Sequence, residues 1–327
     1  MKAAFYTDYG AARDVVKIGE LPDPEPSFGE VRIRIRFSGV NPSDCNRRRG
    51  VRDRPGYPLI VPHSDGAGEI DKVGEGVSKS RIGEPVWTWN AQRGRAFGTA
   101  SEYVCLPSAQ AVRMPPAVPL ELGAGFGVPA MTAYFSLFSD GALEGRDVLV
   151  TGAAGAVGLY AAQFPPLAGA RSLVATVSGQ EKARVAASAG VTVIVNYRTE
   201  NVVERVMEAT EKRGVDRISE VDFGGNLATT LALMRQSCVI GAYASRGVED
   251  PSLPFYQLLF ANVTVRFIQC SLIFGRLREA GIRDLTRWTQ EGRLVHPAPK
   301  ILPLESIAEA HELVERRSVI GKVMVSL

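Results

Sequence analysis

Val148-Leu149-Val150-Thr151-Gly152-Ala153-Ala154-Gly155-Ala156-Val157-Gly158-Leu159-Tyr160-Ala161-Ala162 decides the fold. A short apolar run enters a turn of small residues and leaves it as a helix. Small residues let the backbone approach an anionic ligand closely, and a helix N-terminus adds unpaired N–H groups with a partial positive charge. Gly158 permits the helix to pack tightly on the strand. A pyrophosphate suits such a turn, with Ala154, Gly155, Ala156 and Val157 as the residues that would meet it. The pattern departs from GxGxxG, because Ala154 stands where the second glycine belongs. In isolation it also describes an ordinary strand-to-helix turn, so the dinucleotide reading depends on its surroundings. Pro165-Pro166 cannot continue the helix and is expected to kink it or end it early.

Those surroundings have the βαβ rhythm. Candidate parallel strands are residues 147–151, 172–177, 191–196, 217–221 and 238–243, with 263–267 a sixth, alternating with longer helical stretches. Their apolar cores suit a sheet covered on both faces. Helices are expected at about 284–291 and 304–315, and residues 321–326 read as a strand.

The first third differs. Residues 31–37, Val-Arg-Ile-Arg-Ile-Arg-Phe, alternate strictly, which places Val31, Ile33, Ile35 and Phe37 on one buried strand face. From there to about Met114, short apolar stretches alternate with Gly and Pro signals, as in a compact, mostly β domain with few helices. The expected class is therefore α/β: a mostly β domain plus a doubly wound parallel-sheet domain. With 327 residues the chain exceeds what one core usually organises.

Apolar residues make up 45% and charged residues 22%, ordinary globular usage that argues against disorder. The 38 basic and 35 acidic residues give a formal charge of +3 and are mostly interleaved. The exception is Arg47, Arg48 and Arg49, followed by Arg52 and Arg54. This run reads as a solvated turn, and no nucleic-acid partner is expected. Cys45, Cys105, Cys238 and Cys270 are scattered, and neither a CxxC pair nor a signal peptide is present, so the expected compartment is the cytoplasm. No apolar stretch reaches the roughly 20 residues of a membrane-spanning helix, and a soluble protein is expected.

The second strand of the parallel domain ends in Ser178-Gly179-Gln180, without the acidic residue that NAD enzymes place against the ribose 2′-hydroxyl. Ser178 can donate to a 2′-phosphate, Lys182 can neutralise it, and Tyr197 at the next strand end can reach the same place. NADPH is the expected cofactor. Phe223 and Asn226, then Tyr243, Ser245 and Arg246, follow later strands and are expected to complete its site.

Together with Gly39-Val40-Asn41-Pro42-Ser43-Asp44, Pro62-His63-Ser64-Asp65-Gly66-Ala67-Gly68, 127–134 and Asn196-Tyr197-Arg198, these residues resemble the quinone oxidoreductase branch, with zeta-crystallin, of the medium-chain dehydrogenase/reductase superfamily. The resemblance spans the whole chain. It implies a GroES-like catalytic domain (1–124, completed by 270–327) around a Rossmann NADPH-binding domain (125–269), and a homodimer as in many relatives. Zinc enzymes of this superfamily bind catalytic zinc through two Cys and one His; the flanking residues align those positions with Asn41, Ser64 and Val128. No metal is expected, and His63 reads as a structural histidine.

The resemblance further implies catalytic roles for Asn41 and Thr132 beside the nicotinamide and for Tyr57 at the acceptor. Asn41-Pro42 equally starts a turn, and Thr132 is equally an early helix polar residue. Asp44 and Asp65 suit capping or ion pairing, Trp87 and Trp89 core packing. Without a Lewis acid, acceptors must delocalise negative charge themselves. Quinones do so, which implies NADPH-dependent quinone reduction. Two alternatives stay open: an enone, alkenal or enoyl-thioester reductase, and a non-catalytic NADPH- or RNA-binding protein.

Overall fold

The structure is a computed structural model and describes residues 1–51, 54–116 and 118–327. Arg52 of the basic run, and Asp53, lie outside the described residues. In chain order the strands are β1 Lys2–Phe5, β2 Lys17–Glu20, β3 Glu30–Val40, β4 Asp65–Val73, β5 Pro85–Thr88, β6 Tyr103–Pro107, β7 Ala111–Arg113, β8 Asp147–Val150, β9 Ser172–Val177, β10 Val193–Asn196, β11 Val215–Glu220, β12 Met234–Ala242, β13 Thr264–Phe267, β14 Pro299–Pro303 and β15 Lys322–Ser326.

The chain forms two compact units, 1–128 with 297–327, and 129–296. Residues 270–296 therefore pack in the second unit, not with the first as the sequence boundaries have it. The helix Arg276–Gln290 is the reason. It sets its apolar stripe against the helix Met131–Phe138, where Gly281 lets Tyr134 approach and Asp284 accepts from the Tyr134 hydroxyl at 2.8 Å.

The first unit is built on a sheet of order β14-β15-β3-β4-β5-β7, with β6 pairing β3. Val31, Ile33 and Ile35 are buried in its core with Ile70, Val86, Val104 and Leu106. The expected alternation breaks at Phe37, which is only half-buried. Between Ile35 and Phe37 the pairing with β4 advances by one residue only, from Gly68 to Ala67, so β3 carries an extra residue there. Such a bulge exchanges the faces of the residues beyond it, and Ser38 is fully buried instead. Arg32 is buried too, its guanidinium paired with both oxygens of Asp71 at 3.0 and 2.7 Å. The helix Pro42–Arg49 starts with a proline in its first turn and ends on Gly50 at φ 67°.

The second unit holds a six-stranded parallel sheet of order β10-β9-β8-β11-β12-β13. The order reverses between β9-β8 and β11, the arrangement of doubly wound sheets. All four residues of β8 are buried, as a strand covered on both faces requires. The following helix, Ala156–Leu167, runs through Pro165 and Pro166 and stops one residue later. Gly169 at φ 76° turns the chain so that Ala170 N donates to Pro165 O at 3.0 Å, closing the helix end.

Candidate functional site

In the second unit the turn after β8 is held by side chains from two neighbouring strands. Thr176 Oγ1 accepts from Gly152 N at 3.2 Å, and Thr151 Oγ1 accepts from Val221 N and donates to Glu220 Oε1, both at 2.9 Å. A Cβ on Gly158 would lie 2.1 Å from Gly152 O, so helix and turn meet backbone to backbone there. Gly155, by contrast, is exposed, and a Cβ on it would meet only Gly152 O at 3.5 Å. Ala154 is buried and Ala156 and Val157 are half-buried around it. The first-turn N–H groups of a helix lack intrahelical partners. A tight turn below and open space above fit a phosphate group.

Ser178, Lys182 and Tyr197 converge at the next strand ends. Lys182 Nζ donates to Ser178 Oγ at 2.8 Å, and Tyr197 N donates to Val177 O at 3.1 Å while its ring is 52% exposed. A hydroxyl, an ammonium and an exposed phenol ring thus share one edge.

The two loops after β11 and β12 are fastened to each other. Asp222 Oδ1 accepts from Arg246 N and Gly247 N at 2.7 and 2.9 Å, and Ser245 Oγ accepts from Gly224 N at 2.9 Å. Phe223 is buried against Phe267 with ring centroids 5.6 Å apart. Asn226 donates to Glu220, and Tyr243 N donates to Glu220 O at 3.1 Å. Sequence alone did not single out Glu220, for which an acid closing Ile218-Ser219-Glu220 at the strand end was the available signal, and it marked Thr151 only as the opening residue of the glycine turn. Thr132 lies buried near the start of Met131–Phe138.

In the first unit Asn41 stands at the N-cap of Pro42–Arg49, and its backbone N–H donates to Asp44 Oδ2 at 2.7 Å. Its side chain is committed: Nδ2 donates to Asp65 Oδ2 at 2.8 Å and Oδ1 accepts from Lys322 Nζ at 2.6 Å. Lys322 also lies 3.3 Å from Asp65 Oδ2. One amide N–H of Asn41 remains. Burial pushes Asp44 up to about 7, helped by the Asp65 charge; burial also raises Asp65, with Lys322 and Asn41 opposing. Lys322 was not among the residues the sequence pointed to, although a lysine inside a terminal apolar strand is its own signal. Tyr57 is separate from this cluster's bonds and 37% exposed. Trp87 and Trp89 are both buried, Trp87 edge-on to Phe126 and Trp89 Nε1 donating to Ala109 O at 3.2 Å.

Two family models match, the alcohol dehydrogenase GroES-like domain over residues 27–116 and the zinc-binding dehydrogenase over 156–285. The rat synaptic vesicle membrane protein VAT-1 homolog is 30% identical over 95% of this chain and 81% of its own. Human quinone oxidoreductase is 26% identical over 100% of this chain and 98% of its own. The chain belongs to the quinone oxidoreductase branch of the medium-chain dehydrogenase/reductase superfamily. Its first unit is the GroES-like part and its second the Rossmann part of this oxidoreductase family. The crystal structure of Escherichia coli quinone oxidoreductase complexed with NADPH shares the fold at TM-score 0.88 and 23% identity, each chain covered fully.

A zinc ion, which part of the superfamily carries, does not fit the residues at the aligned positions. Asn41 offers an amide already bonded on both ends, Val128 offers no donor atom, and the Lys322 ammonium already balances Asp65. These are not the thiolate and imidazole donors that zinc takes. Among the described residues no group of three or more His, Cys, Asp and Glu side chains could hold a metal. No helix among the described residues is long and apolar enough to cross a membrane.

Proposed function

We propose that this chain is a zinc-independent, NADPH-dependent reductase of quinones or similar electron-poor acceptors. The observation that carries the reading is Lys322. Its ammonium, bonded to Asn41 and Asp65, supplies a fixed positive charge to the aligned metal position from the chain itself. A lysine there cannot polarise a carbonyl as a metal does, so the acceptor must delocalise its own charge. Bound NADPH supplies a hydride to such an acceptor.

The second unit would hold the cofactor. Residues 154–157 take the pyrophosphate through the N–H groups of Ala154, Ala156 and Val157, Gly155 lending close approach while its own N–H donates to Gly152 O at 3.1 Å, and Ser178, Lys182 and Tyr197 surround the 2′-phosphate. Phe223, Asn226, Tyr243, Ser245 and Arg246 line the remainder, and Thr132 takes the nicotinamide side. In the first unit the free N–H of Asn41 orients the acceptor's oxygen and Tyr57 covers it.

A homodimer accompanies this reading. Strand β13 is an edge strand, and beside it Phe255, Tyr256, Phe260 and Phe267 are 66%, 69%, 79% and 68% exposed. An unpaired edge flanked by aromatic surface suits a second copy. The four cysteines are free thiols, as in a reducing cytoplasm.

Purified protein supplied with NADPH and, side by side, a naphthoquinone, an alkenal and an enoyl thioester tests the reaction. Fastest turnover of the quinone supports it. Faster turnover of the alkenal or thioester moves the acceptor class, and stoichiometric zinc in the purified protein overturns the metal-free mechanism.

A further inference from the structure

Arg95 stands on a loop that leaves and rejoins the segment carrying the aligned metal position. Ala91 N donates to Ser64 O at 3.2 Å and Gln92 Nε2 to Val61 O at 2.9 Å. On the return, Val61 N donates to Ala96 O at 2.9 Å and Thr99 N to His63 O at 3.1 Å. Gly94, at φ 66°, turns the chain between the two legs. Residues 93–95 are thus the tip of a loop pinned at both ends to residues 61–64 of the first unit.

Arg95 is distinguished by what it leaves open. Arg13, Arg32 and Arg266 each turn the edge formed by Nε and Nη2 to one carboxylate, that of Glu312, Asp71 and Asp140 in turn. In Arg95 only Nη1 is engaged, donating to the neutral Gln110 Oε1 at 2.9 Å, and the same edge meets no acceptor among the described residues. The side chain is half-buried, yet neither Nε nor Nη2 is a buried unpaired atom, so both stay within a ligand's reach. Burial lowers the guanidinium, with Glu30 and Tyr57 opposing. Glu30 accepts from Ser27 N at 3.1 Å and forms no ion pair with Arg95 among the described residues. Tyr57 lies four residues before Val61, which brings the residue read as covering the acceptor to the corner where Arg95 stands. A half-desolvated guanidinium with an empty fork favours a planar anion that takes both N–H groups at once.

We propose that Arg95 selects acceptors that carry a carboxylate, binding it side-on through Nε and Nη2 while the acceptor ring lies under Tyr57. The proposal rests on the reductase reading above and gives it a substrate class, quinones with an acidic side chain.

A 1,4-naphthoquinone bearing a propanoate arm and the methyl ester of the same compound share a ring and differ in charge. Without NADPH no hydride is transferred, and calorimetry reads binding alone. The parent should prefer the acid by about tenfold, the worth of one charge-assisted pair, and the preference should shrink as salt rises. Arg95→Gln should abolish the preference. Arg95→Lys keeps the charge without the fork and should retain part of it. If Arg95→Gln does not fold, Arg95→Lys and the salt dependence of the parent decide. Equal affinities of the parent for acid and ester, binding of neither, or a preference untouched by Arg95→Gln overturns the inference. Turnover with NADPH tests the underlying reading separately. An acid preference without reduction of either compound overturns the reductase reading and keeps the carboxylate site; reduction by a parent without that preference does the reverse.

Discussion

His63 and His311 meet Nε2 to Nε2 at 2.9 Å, so one ring must carry the hydrogen between them and the other must not. The neighbours decide which. Arg48 Nε can only donate, and it reaches His311 Nδ1 at 3.3 Å. His311 therefore carries its hydrogen on Nε2 and gives it to His63. His63 then has its hydrogen on Nδ1, 2.8 Å from Ser38 Oγ; Ser38 donates to Thr99 Oγ1 at 2.7 Å, and Thr99 to Asp65 O at 2.5 Å. Arg48 is anchored by Glu315 and Gly10 O. The donors run one way, from Arg48 on the helix Pro42–Arg49 through His311, His63, Ser38 and Thr99 to the strand that carries Asp65.

His63 adopts φ 80°, which costs a non-glycine residue about 1–2 kcal/mol and persists only where its surroundings hold it. His63→Gly removes the imidazole but relaxes the backbone, whereas His63→Ala removes the imidazole and keeps the strain. Urea denaturation should find both destabilised, with His63→Ala lower than His63→Gly by about 1 kcal/mol. The reverse order would mean that the backbone at 63 is unstrained in solution.

The same pair makes stability depend on pH. Burial, then the Arg48 charge, lowers His311 to about 3, and burial lowers His63 well below its ordinary 6.5. The unfolded chain binds these protons first, so the pair's contribution is complete above pH 6.5 and is lost as pH falls from there. Asp44, pushed up to about 7, acts in the opposite sense below that pH, because its folded form holds the proton. Subtraction isolates the histidine. The stability gap between the parent and His311→Leu should be widest near neutrality and narrow by up to about 1.4 kcal/mol per pH unit below the histidine range. A gap constant with pH would show that His311 is not buried neutral.

At the glycine turn the limit is steric. A Cβ at Gly158 would sit 2.1 Å from Gly152 O and 2.8 Å from Gly152 C, backbone atoms that no rotamer can move. Gly158→Ala should separate the helix from the turn, lose NADPH binding by at least tenfold and cost about 1–3 kcal/mol of stability. Gly155→Ala meets open space and should cost little stability. Equal effects of the two in a thermal melt would contradict the packing described.

These contrasts mark what a sequence can disclose. The central parallel strands were legible where an apolar run spans a covered sheet, as at β8 and β9, and residues 172–177 match β9 end to end; β11, Val-Asp-Arg-Ile-Ser-Glu, carries charges and was read two residues late, at 217–221. Ser178, Lys182 and Tyr197 could be grouped because strand ends of one sheet are neighbours by topology. Lys322 could not be tied to Asn41, since 281 residues separate them and only the pairing of β15 with β3 brings them together. His63 and His311 were hidden for the same reason, 248 residues apart. The bulge before Phe37 was invisible because alternation continues through it in the sequence and fails only in the register with β4.

The exposed aromatic surface beside β13 carries a prediction about assembly. Phe260 is 79% exposed on the helix Phe255–Phe260, where a carboxylate would remain solvated in a monomer and be buried unpaired in a dimer. Phe260→Asp should therefore shift light-scattering mass from twice the chain to one chain, leaving the thermal midpoint of the monomer intact. A parent protein that is already monomeric at micromolar concentration would remove the dimer from the reading.

Lys182 gives the sharpest test of cofactor choice. Its ammonium reaches Ser178 Oγ at 2.8 Å on the helix Gln180–Ser188 and approaches no carboxylate closely enough to form an ion pair among the described residues. A lysine so placed contributes a charge-assisted bond to a 2′-phosphate and nothing comparable to a 2′-hydroxyl. Lys182→Ala should weaken NADPH binding by about tenfold and leave NADH nearly unchanged, as a difference of about 1.4 kcal/mol. Because the lost contact is ionic, the discrimination of the parent should also shrink as salt rises, while that of the variant should not. A variant that keeps the parent's ratio of NADPH to NADH affinity would place the 2′-phosphate elsewhere, with Arg198 beside Tyr197 the next residue to examine.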